Sequence, residues 1–239
     1  MKIFCIADIH IDDYQYYNPS REDYMNLNLT GEIDDYRLLQ CLTFAQALVK
    51  YGVKCGVDTL FVLGDIINKP KLSPRIFHVC RDFFDTLSNQ FNIYYILGQH
   101  DMDSKVETLN IRDTFISEFN SPRIHYMHDQ ITTIDGRTFR FKNWQPLEEV
   151  DFGSCDVALG HVSLGICQRP LGNYKLGVFG DIHSPIQFDH IYEDKVVGTD
   201  YSVSTPYQHY PAQHEVGMFG VIDTLNLSYS RVESDSILT

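Results

Sequence analysis

In the first half of the chain, short apolar runs alternate with stretches of helical spacing. Residues 2–7 (KIFCIA) read as a central buried strand, being wholly apolar after the lysine and too short for a helix. From Asp34 to about Tyr51 apolar residues fall at Leu38, Leu39, Leu42, Ala45, Leu48 and Val49, the period of one helix face, with Asp34 or Asp35 as its N-cap. Thr59–Leu63 (TLFVL) is the next strand, and Pro74 to about Ser88 the next helix, proline suiting its first turn. The strand Ile93–Leu97 (IYYIL) follows, and a third helix is expected within 106–119. Strand and helix in alternation predict βαβ units and a mainly parallel sheet. Between the first two elements, residues 11–32 lose all periodicity. Asp12, Asp13, four tyrosines, Asn18-Pro19 and Gly31 mark a long surface loop.

After Pro122 the pattern changes to short strands and turns. They are IHYM, then ITTI and RTFRF around an Asp135-Gly136 hairpin signal, then VALGH, LGVFGDIH, KVVGT and GMFGVIDTLNL. Neither a Ser/Gly linker nor an internal repeat divides the chain. The expectation is an α/β fold, one domain over 1–239 with two sheets sharing a core, βαβ in its first half and strand-rich in its second. The tail Ser234–Thr239 is expected to fray.

Hydrophobic residues make up 44% of the 239 positions, enough for a substantial core and against global disorder. The formal net charge of -13 argues against a broad basic face for nucleic acid, although bound divalent ions would reverse the sign locally. Six cysteines (Cys5, Cys41, Cys55, Cys80, Cys155 and Cys167) show no CxxC pair and sit mostly in apolar runs, so buried free thiols are expected. The start MKIFCIADIH enters a strand without a cleavable apolar stretch, and no run reaches membrane-span length. Together these predict a cytoplasmic protein with no membrane contact.

The chemistry lies at the ends of the apolar runs. Asp8-Ile9-His10, Gly64-Asp65-Ile66-Ile67-Asn68, Gly98-Gln99-His100-Asp101, Gly160-His161 and Gly180-Asp181-Ile182-His183 each follow one. Singly, such a string is as well explained by a loop cap, a turn or a hydrogen-bonded structural histidine. Jointly they offer carboxylates, imidazoles and an amide from five loops, a set that packing alone would not select. A phosphoester is an anion with a poor leaving group. Two divalent cations about 3.5–4 Å apart can bind its oxygens, generate a nucleophile and neutralise the developing charge. Asp8 and His10, two apart on extended backbone, can reach one ion, and Asp65 has two oxygens with which to bridge a pair.

The order DxH, GDxxN, GxHD, GH, GxxH resembles the calcineurin-like metallophosphoesterase family, from Asp8 to about Gly220. Within it the chain is similar to the SbcD-type DNA-repair exonuclease branch, on the GDIHSP string at 180–185 and the STPYQHYPAQHEVGMFGVID stretch at 204–223. The compact phage-encoded members are the nearest match, which would place the protein in a host cytoplasm. The resemblance implies a two-sheet metallophosphoesterase sandwich flanked by helices. It implies one metal ion held by Asp8, His10, Asp65 and His183, and a second by Asp65, Gln99, His161 and Asp181. His100 would face the scissile phosphate and assist the leaving oxygen, with Asp101 orienting its ring. Asn68 would hydrogen-bond near the loop that carries Asp65.

Two positions depart from the family pattern, which has Asn where Gln99 stands and His where Asp181 stands. Both fall on the second ion, whose two carboxylates, amide and single imidazole favour Mn²⁺, then Mg²⁺, over softer ions. The function implied is a metal-dependent DNA nuclease, an exonuclease. A phosphatase or a hydrolase of cyclic nucleotides or other small phosphodiesters is the second reading, and a catalytically weak assembly subunit the third. An SbcC-type ATPase subunit is the implied partner, and homodimerisation would use helices near 70–120. The family's C-terminal capping and partner-binding extension has no room after residue 223. Tyr14, Tyr16, Tyr17 and Tyr24 could equally stack on unpaired bases or pack their loop. His125, His128, His190, His209 and His214 lack motif context and read as surface or supporting residues. Trp144 reads as a core or edge residue, and nothing fixes Arg169 against a phosphate.

Overall fold

The computed structural model describes residues 1–12, 36–102, 119, 121–127, 129–206 and 217–238. Outside them lie residues 13–35 with the four tyrosines and both N-cap candidates, the expected third helix save Phe119, His128, His209, His214, and residues 207–216 of the closing stretch.

Strand β1 (Lys2–Ile6) lies between β13 (Met218–Asp223), antiparallel to it, and β2 (Thr59–Leu63), parallel. Parallel pairing continues through β3 (Asn92–Ile96) to β4 (Ile124–Tyr126), and β14 (Ser228–Glu233) closes the other edge. This is the expected βαβ half, with an antiparallel pair added from the C-terminal end. Helix α1 (Tyr36–Cys55) ends a turn later than its periodicity predicts, and α2 (Pro74–Ser88) matches its predicted bounds.

The second sheet runs in the order β11-β12-β10-β8-β6-β5: Gln187–Tyr192, Lys195–Ser202, Leu176–Gly180, Val157–His161, Arg137–Lys142 and Ile131–Ile134. The β5–β6 hairpin turns at Asp135 (φ 51°) and Gly136 (φ 73°), the paired left-handed conformations of a type I′ turn. A parallel two-stranded ribbon, β7 (Glu149–Ser154) and β9 (Arg169–Asn173), stands apart from both sheets.

Alternation along the central strands sorts their side chains into layers. Phe4 and Ile6 face α1 and α2, packing with Phe44, Leu48, Phe83 and Phe84. Ile3, Cys5 and Ala7 face the other way, into a core shared with Phe139, Phe141, Leu159 and Val178 of the second sheet. Phe61 stands at the centre of that core, with ring centroids 5.3 and 5.2 Å from Phe139 and Phe141. The outer face of the second sheet, with Ala158 and Phe179, is covered by Val150 and Phe152 of the ribbon.

Two expectations are corrected. The tail does not fray over its described length: Ser234–Ile237 forms a 3-10 helix, Ser234 is buried, and its N–H donates to Gly217 O at 2.8 Å. Within GMFGVIDTLNL, β13 stops at Asp223 and the chain turns back into β14. Of the thiols, Cys5, Cys41 and Cys80 are buried but Cys55 and Cys167 are exposed; all six are free. Trp144 is half-buried beside the end of β3, its backbone N–H donating to Leu97 O. No helix among the described residues is long and apolar enough to cross a membrane.

Candidate metal centre

Parallel strands place their C-terminal ends together, and β1, β2, β3, β8 and β10 deliver the five sequence strings to one edge of the sandwich. The chain bends sharply there. Asp8 (φ 55°), His10 (φ 48°), Asp65 (φ 50°) and Asp181 (φ 86°) all occupy the left-handed region that side chains ordinarily avoid. Backbone bonds hold the bends: Asp8 N–H donates to Gly64 O, and His10 N–H to Asp65 O, at 3.1 and 3.0 Å. Gly98 is required for the fit, since a Cβ there would lie 2.1 Å from Asp65 Oδ1.

Asp65 sits at the middle, fully buried. Its Oδ2 lies 3.3 Å from His161 Nε2, 3.7 Å from His10 Nε2 and 3.9 Å from His100 Nε2. Its Oδ1 accepts the His100 backbone N–H at 2.9 Å. His10 and His183 bring their Nε2 atoms to 3.2 Å, and His183 Nε2 is 3.8 Å from Asp8 Oδ1. Three overlapping donor groups result: Asp8, His10 and His183; Asp8, Asp65 and His161; His10, Asp65 and His100. Asp181 Oδ1 lies 3.6 Å from His161 Nε2, and its backbone N–H donates to both Asp8 oxygens at 3.1 Å. All seven expected ligand residues therefore converge, although Gln99 is exposed at the rim.

The two departures from the family pattern touch each other. Gln99 Nε2 donates to Asp181 Oδ1 at 3.1 Å, and the Ser163 hydroxyl donates to Asp181 Oδ2. Ser163 has no signature in the sequence, since it stands two residues past Gly160-His161 and acts only through Asp181.

His100 faces the centre but is held by a different partner from the one expected. Its Nδ1 lies 3.0 Å from Asn68 O; a carbonyl can only accept, so Nδ1 carries the proton and Nε2 faces the centre. Asp101 does not hold that ring. Its Oδ1 accepts the N–H groups of Ile66 and Ile67 at 2.9 and 3.0 Å, and its Oδ2 that of Gly98 at 2.9 Å. A carboxylate that satisfies three backbone donors in the loops after β2 and β3 positions those loops. Asn68, as expected, bonds near its loop, donating to Asp12 Oδ2 at 2.8 Å.

Burial dominates the electrostatics. It pushes the Asp8 carboxyl well up, helped by the charges of Asp65 and Asp181, and pushes His10 down to about 3 and His183 downward. Burial works against Asp65 and Asp181 too, but His161 holds both below the usual carboxylate range, with Ser163 assisting Asp181. Burial would lower His161; the negative charge of Asp65 and its contacts with Asp181 and Asp8 instead raise it well above its ordinary value. Asp101 is raised to about 7 by burial and by the charge of Asp65.

These residues fit a cation site. Three carboxylates converge in a buried place, a costly arrangement unless positive charge compensates it. His161 Nδ1 donates to Leu63 O at 2.8 Å, which turns Nε2 inward, and that buried nitrogen makes no hydrogen bond among the described residues. An imidazole anchored at one nitrogen with the other aimed at carboxylates is a ligand geometry.

The profile of the calcineurin-like phosphoesterase family (Metallophos) matches residues 1–185. The chain belongs to this family. The match runs from β1 to the residues just past His183, so it contains every string that builds the centre. As a calcineurin-like phosphoesterase the chain is a phosphoric ester hydrolase, of a family that typically works with two metal ions. No curated protein matches the sequence. A solved structure described as a novel archaeal phosphodiesterase is similar with a TM-score of 0.49 and 13% identity, covering 98% of this chain and 99% of that one.

Proposed function

We propose that this calcineurin-like phosphoesterase is a metal-dependent phosphodiesterase acting on DNA, in the manner of the SbcD-type exonuclease branch. The observation that carries the hydrolase reading is Asp65 Oδ2, within 4 Å of three imidazoles from three other loops. Support for DNA comes from the strings at 180–185 and 204–223. Asp8, His10, Asp65 and His183 would hold one ion; Asp65, Gln99, His161 and Asp181 would hold the other. When bound, the ions supply Lewis-acid stabilisation of the phosphoryl oxygens and a nucleophile at neutral pH. The oxygen-rich second set suits Mn²⁺ or Mg²⁺.

The protein's own residues contribute position and proton control. Asn68 O fixes the His100 ring so that Nε2 points inward; with both ring nitrogens protonated, His100 would give its Nε2 proton to the departing oxygen and keep its Nδ1 proton hydrogen-bonded to Asn68 O. Asp101 fixes the two loops that carry Asp65 and His100. The net charge of -13 supports a second reading, a small phosphodiester or monoester substrate, which needs no extended anionic contact.

Wild type and His100→Ala, each with Mn²⁺, are compared on an end-labelled oligonucleotide, a mononucleotide and a p-nitrophenyl phosphodiester. The expected result is cleavage of the oligonucleotide, reduced about 100- to 10,000-fold in the variant. Turnover of the small substrates alone would replace the nuclease by the second reading. Equal rates for both proteins on every substrate would leave only an assembly role, with an SbcC-type ATPase or a second copy of this chain as partner.

A further inference from the structure

A cavity of about 440 Å³ opens on the outer face of the second sheet, lined by Leu164, Arg169, Pro170, Phe188, His190 and Asp200. Its volume falls in the range of small-molecule sites. Phe188 and Asp200 are directly paired across β11 and β12, and His190 lies two residues from Phe188, so all three share one face. Leu164 and Pro170 add apolar surface from the loop after β8 and from β9. That loop begins at the metal centre: Ser163, adjacent to Leu164, donates its hydroxyl to Asp181.

Two features set this cavity apart from a packing defect. Asp200, only 3% exposed, brings a carboxylate into an otherwise apolar layer, where it bonds His190 Nε2 at 2.7 Å and Tyr174 OH at 3.5 Å. A buried carboxylate is costly and fixes what it touches; here it fixes an imidazole in the cavity wall. With Nε2 committed to Asp200, the other ring nitrogen, Nδ1, makes no hydrogen bond among the described residues. The second feature is Phe188, large, apolar and 43% exposed. Its ring rests on Gly165 (φ +73°), where a Cβ would come within 2.4 Å of the ring, so the loop is shaped to seat it.

We propose that this cavity is a nucleobase subsite, holding the base of the nucleotide whose phosphate lies at the metal centre. An aromatic face, a second apolar wall and an oriented imidazole acceptor suit a flat heterocycle bearing N–H groups. Arg169, paired with Glu149 at 3.1 Å, stands at the rim. An aliphatic ligand would leave His190 unused, and an anionic one would meet Asp200. The proposal rests on the phosphodiesterase reading for its substrate but not for its binding.

Two measurements test it. In the first, thymidine and adenosine are titrated into chelator-treated protein by calorimetry or NMR. Binding is expected for wild type, weakened about tenfold by Phe188→Ala and restored by Phe188→Trp, as loss and recovery of base stacking require. In the second, the kcat/KM ratio of thymidine 5′-(p-nitrophenyl phosphate) to methyl p-nitrophenyl phosphate is measured with metal. It is expected to fall by about the same factor in Phe188→Ala, with the change in KM, and to recover in Phe188→Trp. Nucleoside binding that ignores Phe188, or no nucleoside binding at all, overturns the subsite. If nucleosides bind as expected while neither ester is hydrolysed, the subsite stands and the phosphodiesterase reading fails.

Discussion

Asp101 shows how a single carboxylate can hold a site without touching its chemistry. It closes three backbone hydrogen bonds that otherwise have no acceptor in a water-excluded region. Each buried donor left unpaired costs about 1–3 kcal/mol. Asp101→Ala is therefore expected to lose about 3–5 kcal/mol of stability in urea unfolding with chelator present, so that metal binding does not mask the change. Asp101→Asn, which keeps one acceptor oxygen, should lose less. A loss below about 0.5 kcal/mol for the alanine variant would show that the loops hold themselves. The string Gly98-Gln99-His100-Asp101 marks Asp101 as part of a site, but not its role. Two of its three partners are N–H groups at the end of another strand, the third is that of Gly98 in its own loop, and main-chain donors leave no trace in residue type. Ser163 is hidden for the same reason, acting through Asp181 from a loop with no motif. The residues proposed as ligands are legible because metal chemistry would restrict them to few side chains, each placed just after an apolar run.

At the scale of elements, α2 is the helix whose ends the sequence states most fully. The Ser73 hydroxyl accepts the Ile76 N–H at 3.3 Å, Pro74 occupies the first turn, and Ile76, Val79, Cys80, Phe83, Phe84 and Leu87 are buried along one face. Ser73→Ala leaves that face intact and removes only the cap, so its cost should be about 1 kcal/mol, read as a shift in the urea midpoint at unchanged slope. A changed slope would instead mean that α2 had loosened as a whole. The strands divide by the kind of signal they carry. β1, β2, β8 and β10, buried on both faces, are continuous apolar runs that stand out at once. The ribbon strand β9, RPLGN, has neither run nor alternation, and Pro170 and Gly172 argue against a strand. It forms by pairing with β7, whose Val150 and Phe152 cover the second sheet's outer face, a tertiary requirement that a local pattern cannot express. β11 and β14 have one weak face each, and their polar side reads as loop.

Across the whole molecule, the candidate metal centre is where the two sheets are fastened at their ends. Asp8 and Asp65 leave the first sheet, His161 and Asp181 leave the second, and Asp8 accepts the Asp181 N–H across the gap. The shared core around Phe61 joins the sheets by apolar contact, but at this end they meet as three carboxylates, two from the first sheet and one from the second. Burial raises the Asp8 carboxyl and the surrounding carboxylates raise His161, both in the direction that favours protons where negative charge is crowded. A divalent ion held there would tie both sheets, and only in the folded state, so binding and folding would be linked. At a free ion concentration about 100 times the dissociation constant, one site contributes about 2.7 kcal/mol. For a chain of this size that raises Tm by roughly 5–10 °C. Differential scanning fluorimetry with Mn²⁺ against chelator reads the shift directly, and Asp65→Asn, which removes the carboxylate common to both inferred ions, should abolish most of it. A full shift that survives in Asp65→Asn would place the bound ion elsewhere on the protein and detach the converged cluster from metal binding.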